Sequence, residues 1–283
     1  MVISSIITDM KTIITHFAPD LDAITSVWLL KTFVPDLKEA AIAFVPAGKT
    51  LNGMAPDSDP EIIHVDTGYG KFDHHQANDD TCAALLVYQS LGKKDEALER
   101  LLHVVNDVDH FKEVFYPNPT ADFYDLSLPV IIDGLQLNMV DNPIGMMDTV
   151  MDCLDGAYKM FQNKVWAEKD IKDNAVQFDT KFGKAFGIET VNREVVHYGQ
   201  KMGFVLVVRK DPKNGNAQIK TIPKDEIDLT AIYEVLLKKD ATATWFLHSS
   251  KHMLLNGSAK NPDMKPTALS LADLIAEVKT IYG

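Results

Sequence analysis

Four polar clusters in the first part of the chain are of the types that hold divalent cations. His16, Asp20 and Asp22 crowd into "THFAPDLD", between an apolar run and a helix-like one. Asp66 closes "IIHVD" just before Thr67-Gly68, Asp73, His74 and His75 form "DHH", and Asp107 and Asp109 sit in "NDVD". Carboxylates mixed with imidazoles suit Mn²⁺, Mg²⁺ or Zn²⁺. Two such ions about 3.5–4 Å apart clamp a phosphoryl group and lower the pKa of a water that attacks in line. Taken singly, each cluster has a bland reading: an Asp at a strand end is commonly a helix cap, and a lone His a satisfied core or surface residue. Their order and spacing together favour a ligand shell.

Alternating strand-like and helix-like segments must position these groups. "TIIT", "AIAFVPA" and "EIIHVDTG" read as strands. "AITSVWLLKTF", "TCAALLVYQSLG" and "DEALERLLHVVNDVDHF" read as helices. Such alternation predicts α/β architecture with a parallel, helix-covered sheet, and ligands collect beyond the carboxyl ends of its strands. The expected domains are 1–142 and a smaller α/β domain over 184–283, joined by a helical connector over 143–183. The second domain reads as "GIETVN", a helix "REVVHYGQKMG", the strand "FVLVVRK", an Asn-Gly hairpin signature in "KNGN" before "AQIKTI", a helix "LTAIYEVLLKK", strands "TWFLHS" and "HMLLNGS", and a last helix "SLADLIAEVKTIY".

With 283 residues, 46% apolar and 24% charged, the chain is an ordinary globular one. No apolar stretch approaches the roughly 18–20 residues of a membrane span, and no leader is evident, so a cytoplasmic location and no membrane partner are expected. Cys82 and Cys153 are far apart and are expected to be small core residues. The net charge of −12 and only three arginines argue against long duplex nucleic acid as a partner. That charge is uneven: residues 1–183 carry 14 basic and 29 acidic side chains, residues 184–283 carry 14 and 11.

The succession His-x3-Asp-x-Asp, strand-end Asp-Thr, Asp-His-His and a late helical aspartate resembles the DHH phosphoesterase superfamily over about the first 130 residues. "DHHQ" followed by "CAALLVYQSLG" looks particularly like the Myg-type predicted exonuclease branch, although the opening motif follows the more general form. The resemblance implies a DHH domain over 1–142 and two divalent cations, Mn²⁺ ahead of Mg²⁺. His16, Asp20 and Asp66 would hold one cation, and Asp22, Asp66, His74 and Asp107 the other, with Asp66 shared. It gives His75 a contact to the substrate phosphate and Asp73 a supporting hydrogen bond from a ligand imidazole. Asp109 stands as the alternative to Asp107.

The implied activity is metal-dependent hydrolysis of a phosphoester or phosphoanhydride by an activated hydroxide, in small nucleotides or short single-stranded oligonucleotides. A non-catalytic nucleotide sensor is the competing class, and an inorganic pyrophosphatase the alternative within the enzymes. Homo-oligomerisation is left open. The family's glycine-rich "GGxH"-like turn is absent; Asn256, Gly257, Ser258 and Lys260 in "LLNGSAKNP", with Arg209 and Lys210, stand in the corresponding place, and an ordinary hairpin explains them equally well. His248, Ser249 and Ser250 are weaker candidates. "AFVPAGKT" lacks the first glycine of a phosphate loop, which leaves Lys49 an expected surface residue, and His64 is expected to be a hydrogen-bonded core histidine.

Overall fold

Strand β1 (Thr12–His16) is the axis on which the first part of the chain is built. It pairs in parallel with β2 (Ala41–Val45) on one side and β3 (Ile62–His64) on the other. Thr12, Ile13, Ile14 and Thr15 are all buried. That is why "TIIT" reads as a continuous run: a central parallel strand is covered on both faces. The computed structural model describes residues 11–76, 79–257, 261 and 263–283, and the chain forms two units, 1–161 and 162–283.

Helix α1 (Leu21–Phe33) connects β1 to β2. Its residues Leu21 to Leu30 are buried all round, because it packs on β1 and against α2 (Ala83–Ser90), α3 (Glu96–Asp109) and α4 (Leu128–Asn138). Trp28 lies edge-on to Phe33 and Tyr158, with ring centroids 5.9 and 6.0 Å away, an arrangement worth about 0.5–1.5 kcal/mol per pair beyond burial. Its indole N–H donates to Asp155 Oδ1 at 2.8 Å. Asp155 belongs to α5 (Pro143–Asn174), whose first part closes this core with Met146, Met147, Val150 and Leu154. Cys82 is buried as expected, but Cys153 is exposed on α5 and takes no part in a core.

The second unit is a six-stranded mixed sheet in the order β4-β5-β6-β7-β9-β8. Its strands are β4 (Val176–Thr180), β5 (Gly183–Glu189), β6 (Leu206–Lys210), β7 (Ala217–Thr221), β8 (Phe246–Leu247) and β9 (Met253–Asn256). Only β5 and β6 pair in parallel. The twofold alternation of "LVV" on β6 splits its side chains between two cores. Leu206 and Val208 join α7 (Thr230–Lys239) and α8 (Leu271–Tyr282) on one face; Val207 joins α6 (Glu194–Lys201) and the end of α5 on the other. A side chain at Gly199 of α6 would have its Cβ 2.4 Å from the Phe186 ring, so the close helix-to-sheet approach requires glycine there.

The fold class is thus α/β, with a parallel sheet in the first unit. The span read as a helical connector contains α5 and then β4, which forms a tight hairpin with β5 by pairing Thr180 with Gly183. β4 is an edge strand with little burial, so its sequence carries little alternation for a strand reading to detect. The Asn214-Gly215 signature lies in the longer loop between β6 and β7, where Asp211 accepts the Lys213 N–H and pairs with Arg209. Among the described residues no helix is long and apolar enough to cross a membrane.

Candidate metal centre

The carboxyl ends of β1 and β3 deliver the central pair. His16 ends β1 with its side chain largely covered, and its Nε2 lies 3.2 Å from Asp66 Oδ2. Asp66 follows β3 and Val65 in the left-handed region, at φ +54°, a conformation that costs an L-residue on the order of 1–2 kcal/mol. The strain is held by the loop that follows. Asp66 N–H donates to Phe72 O at 2.8 Å, and Asp73 Oδ2 accepts the Tyr69 N–H at 2.6 Å. A buried, strained acidic residue held by its neighbours in this way is a recurrent feature of functional sites.

Three more groups close on Asp66. His74 Nε2 lies 3.4 Å from Asp66 Oδ1, 3.7 Å from Asp109 Oδ2 and 3.8 Å from Asp22 Oδ2. None of these contacts is aligned as a hydrogen bond, so Asp66 Oδ1 and His74 Nε2 are both buried without one. Asp20 caps α1 by accepting the Ala23 N–H at 3.0 Å, so the bland and the functional readings of this residue hold together. Asp22 is likewise shared: its two oxygens accept the Ala83 and Ala84 N–H groups at 2.7 and 2.8 Å, capping α2.

The titration of these groups follows from their crowding. Contact with Asp66, against the opposing effect of burial, pushes His16 up to about 9, and the same contact, joined by Asp109 and Asp22, pushes His74 up to about 9. Burial opposes ionisation of Asp66, but His16 and His74 outweigh it and hold its carboxyl below the usual range. Burial and then the charge of Asp66 push Asp20 and Asp22 up, and burial does the same to Asp109. Crowding thus favours the protonated imidazoles of His16 and His74 and opposes ionisation of Asp20, Asp22 and Asp109.

His75 is the accessible member, with 55% of its side chain exposed. Its Nδ1 donates to Asp73 Oδ1 at 2.8 Å, which leaves Nε2 unengaged by Asp73. Asp73 therefore steadies His75 and the Tyr69 turn; the imidazole bound to it is not that of His74. A polar cavity of about 350 Å³ lies over these groups, lined by His16, Asp66, Asp73, His75, Tyr69 and Gly48 among others.

Asp109, not Asp107, faces the cluster. The two are separated by about 200° around an α-helix. Asp107 turns to Lys112 and His103, at 3.6 and 3.7 Å. The signal was present in α3: the buried face formed by Leu98, Leu101, Leu102 and Val105 continues at Asp109, four residues after Val105. His110, 3.5 Å from Asp109, was missed by sequence reasoning. His64 is buried and accepts the Leu51 N–H at 3.0 Å, as a core histidine should.

The sequence model of the ChrB C-terminal domain matches residues 13–161, more than half of the chain and all of this cluster. The chain belongs to the ChrB C-terminal domain family. No curated protein matches it. Among solved structures, RecJ from Thermus thermophilus in complex with Mg²⁺ aligns at 12% identity and a TM-score of 0.34, covering 96% of this chain and 49% of RecJ. RecJ from the same organism in complex with Mn²⁺ aligns at 11% identity and a TM-score of 0.34, covering 96% of this chain and 52% of that one. The chain thus spans about half the length of these RecJ chains.

The residues of this ChrB C-terminal-domain protein that were candidates for substrate contact in the second unit are occupied otherwise. Arg209 is buried on β6, where its guanidinium donates to Asp211 at 2.9 Å and to Val191 O at 3.1 Å. Lys210 Nζ donates to Gly215 O and Thr267 O, both at 2.8 Å. Asn256, fully buried, donates to Thr244 O and Lys265 O and accepts the Thr267 N–H, so all of its amide is engaged in holding loops. Gly257 has φ +87° and packs on Asn216, while Ser258 and Lys260 lie outside the described residues. His248 pairs with Ser250 in an exposed turn that also holds Ser249.

Proposed function

We propose that this chain is a divalent-metal-dependent phosphoesterase of DHH type acting on a phosphoester or phosphoanhydride bond. The single observation that carries the reading is the position of Asp66, with one oxygen toward His16 and the other, lacking a hydrogen bond, toward His74. The donor set fits cations. His16, Asp20 and Asp66 offer ligand atoms within 4.8 Å of one another, as do Asp22, His74 and Asp109, and Asp66 with His74 and His75. Nitrogen and carboxylate donors mixed in this way suit Mn²⁺ and also accept Mg²⁺.

One cation would be held by His16, Asp20 and Asp66, the other by Asp22, His74 and Asp109, with Asp66 between them. When bound, two cations supply Lewis acidity toward a phosphoryl group and lower the pKa of water. The chain's own residues do the rest. His16 and His74 would hold a cation only as neutral imidazoles, so binding would be coupled to loss of their protons. Asp73 fixes the ring of His75, which is left to contact a phosphate oxygen in the polar cavity. Small nucleotides or short single strands rank ahead of long nucleic acid, because the chain carries only three arginines and a net charge of −12.

The test is a hydrolysis panel with Mn²⁺ and with EDTA: pyrophosphate, a dinucleotide, 3′-phosphoadenosine phosphate, a cyclic dinucleotide and a short single-stranded oligomer. Manganese-dependent release from one class is expected, and Asp66→Asn should reduce it about 100-fold or more with the circular dichroism spectrum unchanged. Nucleotide binding without turnover across the panel would replace the enzyme by a sensor.

A further inference from the structure

A second cavity, of about 570 Å³, opens on the other side of the cluster, entirely within the first unit. Asp20 and Asp109 line both it and the polar cavity; Asp22 lines the second. Its walls are apolar: Val105 and Val108 of α3, Ile132 of α4, and Leu154, Ala157 and Phe161 of α5. Tyr116 and Tyr124 add flat surfaces, their ring centroids 6.0 Å apart. The volume lies within the range of small-molecule sites, which combine apolar walls with a few polar groups that fix orientation.

Two polar features define the occupant. The first is charge: Glu113, Asp125 and Asp133 line the cavity, and among the described residues lining it there is no Lys, Arg or His. A second phosphate entering here would meet several carboxylates and no basic side chain to offset them. The second is an unmet acceptor. Glu113 Oε2 is shut off from solvent and has no hydrogen-bond partner, so it favours a ligand bearing an N–H or O–H donor.

On these grounds, and resting on the phosphoesterase reading, we infer that the 570 Å³ cavity takes the uncharged organic part of a phosphate monoester, a nucleoside, while the phosphate lies at the Asp20–Asp109 boundary. The base stacks among the tyrosines and aliphatic walls, where base–aromatic contacts contribute substantially, and its amino group or a sugar hydroxyl donates to Glu113. The site thereby selects a nucleotide with one phosphate and rejects pyrophosphate.

The experiment is equilibrium dialysis of the EDTA-treated full chain against adenosine, guanosine, cytidine, uridine and pyrophosphate, with Mn²⁺ uptake measured separately by titration calorimetry. At least one nucleoside is expected to bind more tightly than pyrophosphate. Ala157→Trp, which fills the cavity from a half-buried position, should weaken that binding at least 10-fold, and Glu113→Gln about 10-fold, with Mn²⁺ uptake retained in both. Val104→Trp, at an exposed position on the cavity wall, serves the same purpose should Ala157→Trp fail to fold. The inference is overturned if no nucleoside binds, if pyrophosphate binds more tightly, or if the folded variants bind as the parent does. Nucleoside binding without Mn²⁺ uptake would overturn the phosphoesterase reading and leave the cavity standing; Mn²⁺ uptake without nucleoside binding would do the reverse.

Discussion

Both units bury charged and polar side chains, and they treat them in opposite ways. In the second unit Asn256 and Asp240 find their partners within the fold. Asn256 uses its whole amide on Thr244, Lys265 and Thr267, and Asp240 accepts from the Trp245 indole and the Thr267 hydroxyl. In the first unit Asp66 Oδ1 and His74 Nε2 face each other at 3.4 Å with no hydrogen bond, amid Asp20, Asp22 and Asp109. A buried polar group without a partner costs about 1–3 kcal/mol, more if charged, so a fold retains such a group where something else completes it. Burial of polarity alone does not mark a site; left-over donor and acceptor atoms facing each other among crowded carboxylates and imidazoles do. The same contrast separates Asn256, which sequence reasoning offered as a substrate ligand, from His74, offered on similar grounds.

The contrast can be broken by exchanging the expected consequences. Asp66→Asn should give the largest effect, lowering Mn²⁺ affinity about 100-fold or more in titration calorimetry; near-parental affinity would show that Asp66 is not the shared ligand. Asn256→Ala should do the opposite, leaving Mn²⁺ affinity unchanged while removing three hydrogen bonds. At roughly 1 kcal/mol each, these amount to about 3 kcal/mol, read as a lower urea midpoint. A loss of Mn²⁺ affinity in that variant would erase the distinction between the units. Within α3 the test narrows to one helix. Asp109→Asn should weaken Mn²⁺ binding about 10- to 100-fold, the scale set by disturbing a metal site's own partners. Asp107→Asn should lose only its surface pairs with Lys112 and His103, each worth about 0–1 kcal/mol.

What the sequence disclosed follows the same line. His16, Asp66 and the Asp-His-His segment were legible because parallel strands read as apolar runs that stop abruptly, and polar residues at those stops have few structural duties. Asp109 was half legible: motif position pointed to Asp107, whereas the helical period of the buried face pointed four residues beyond Val105. The second unit gave up its strands through alternation, except β4, whose exposed edge position removes the signal. The larger cavity was invisible. It is assembled from α3, α4, α5 and the irregular stretch carrying Tyr116 and Tyr124, whose side chains share no local period, and only packing brings Glu113 beside Phe161 as lining of one space. Asn256 misled for a complementary reason, since a glycine-adjacent amide looks the same in sequence whether it faces a phosphate or three backbone groups.

The two regions also respond to pH with opposite sign. In EDTA, His16 and His74 titrate at about 9 rather than 6.5. A raised folded-state value means a stabilisation that is complete below about 6.5 and lost as pH rises through about 9. In the second unit Asp228 accepts from Lys251 and Thr230, and these contacts, the lysine's first, hold its carboxyl down to about 2. A depressed value means a stabilisation present above about 3.8 and lost as pH falls toward 2; 44% of the Asp228 side chain is exposed, so solvent screening keeps it slight. Melting of the EDTA-treated chain should therefore weaken between pH 7 and 9.5, and Asp66→Asn should flatten that limb. Asp228→Asn should leave the alkaline limb alone and flatten a shallow decline below pH 4. An alkaline limb that persists in Asp66→Asn would mean that the histidines hold their protons for another reason than the carboxylate between them.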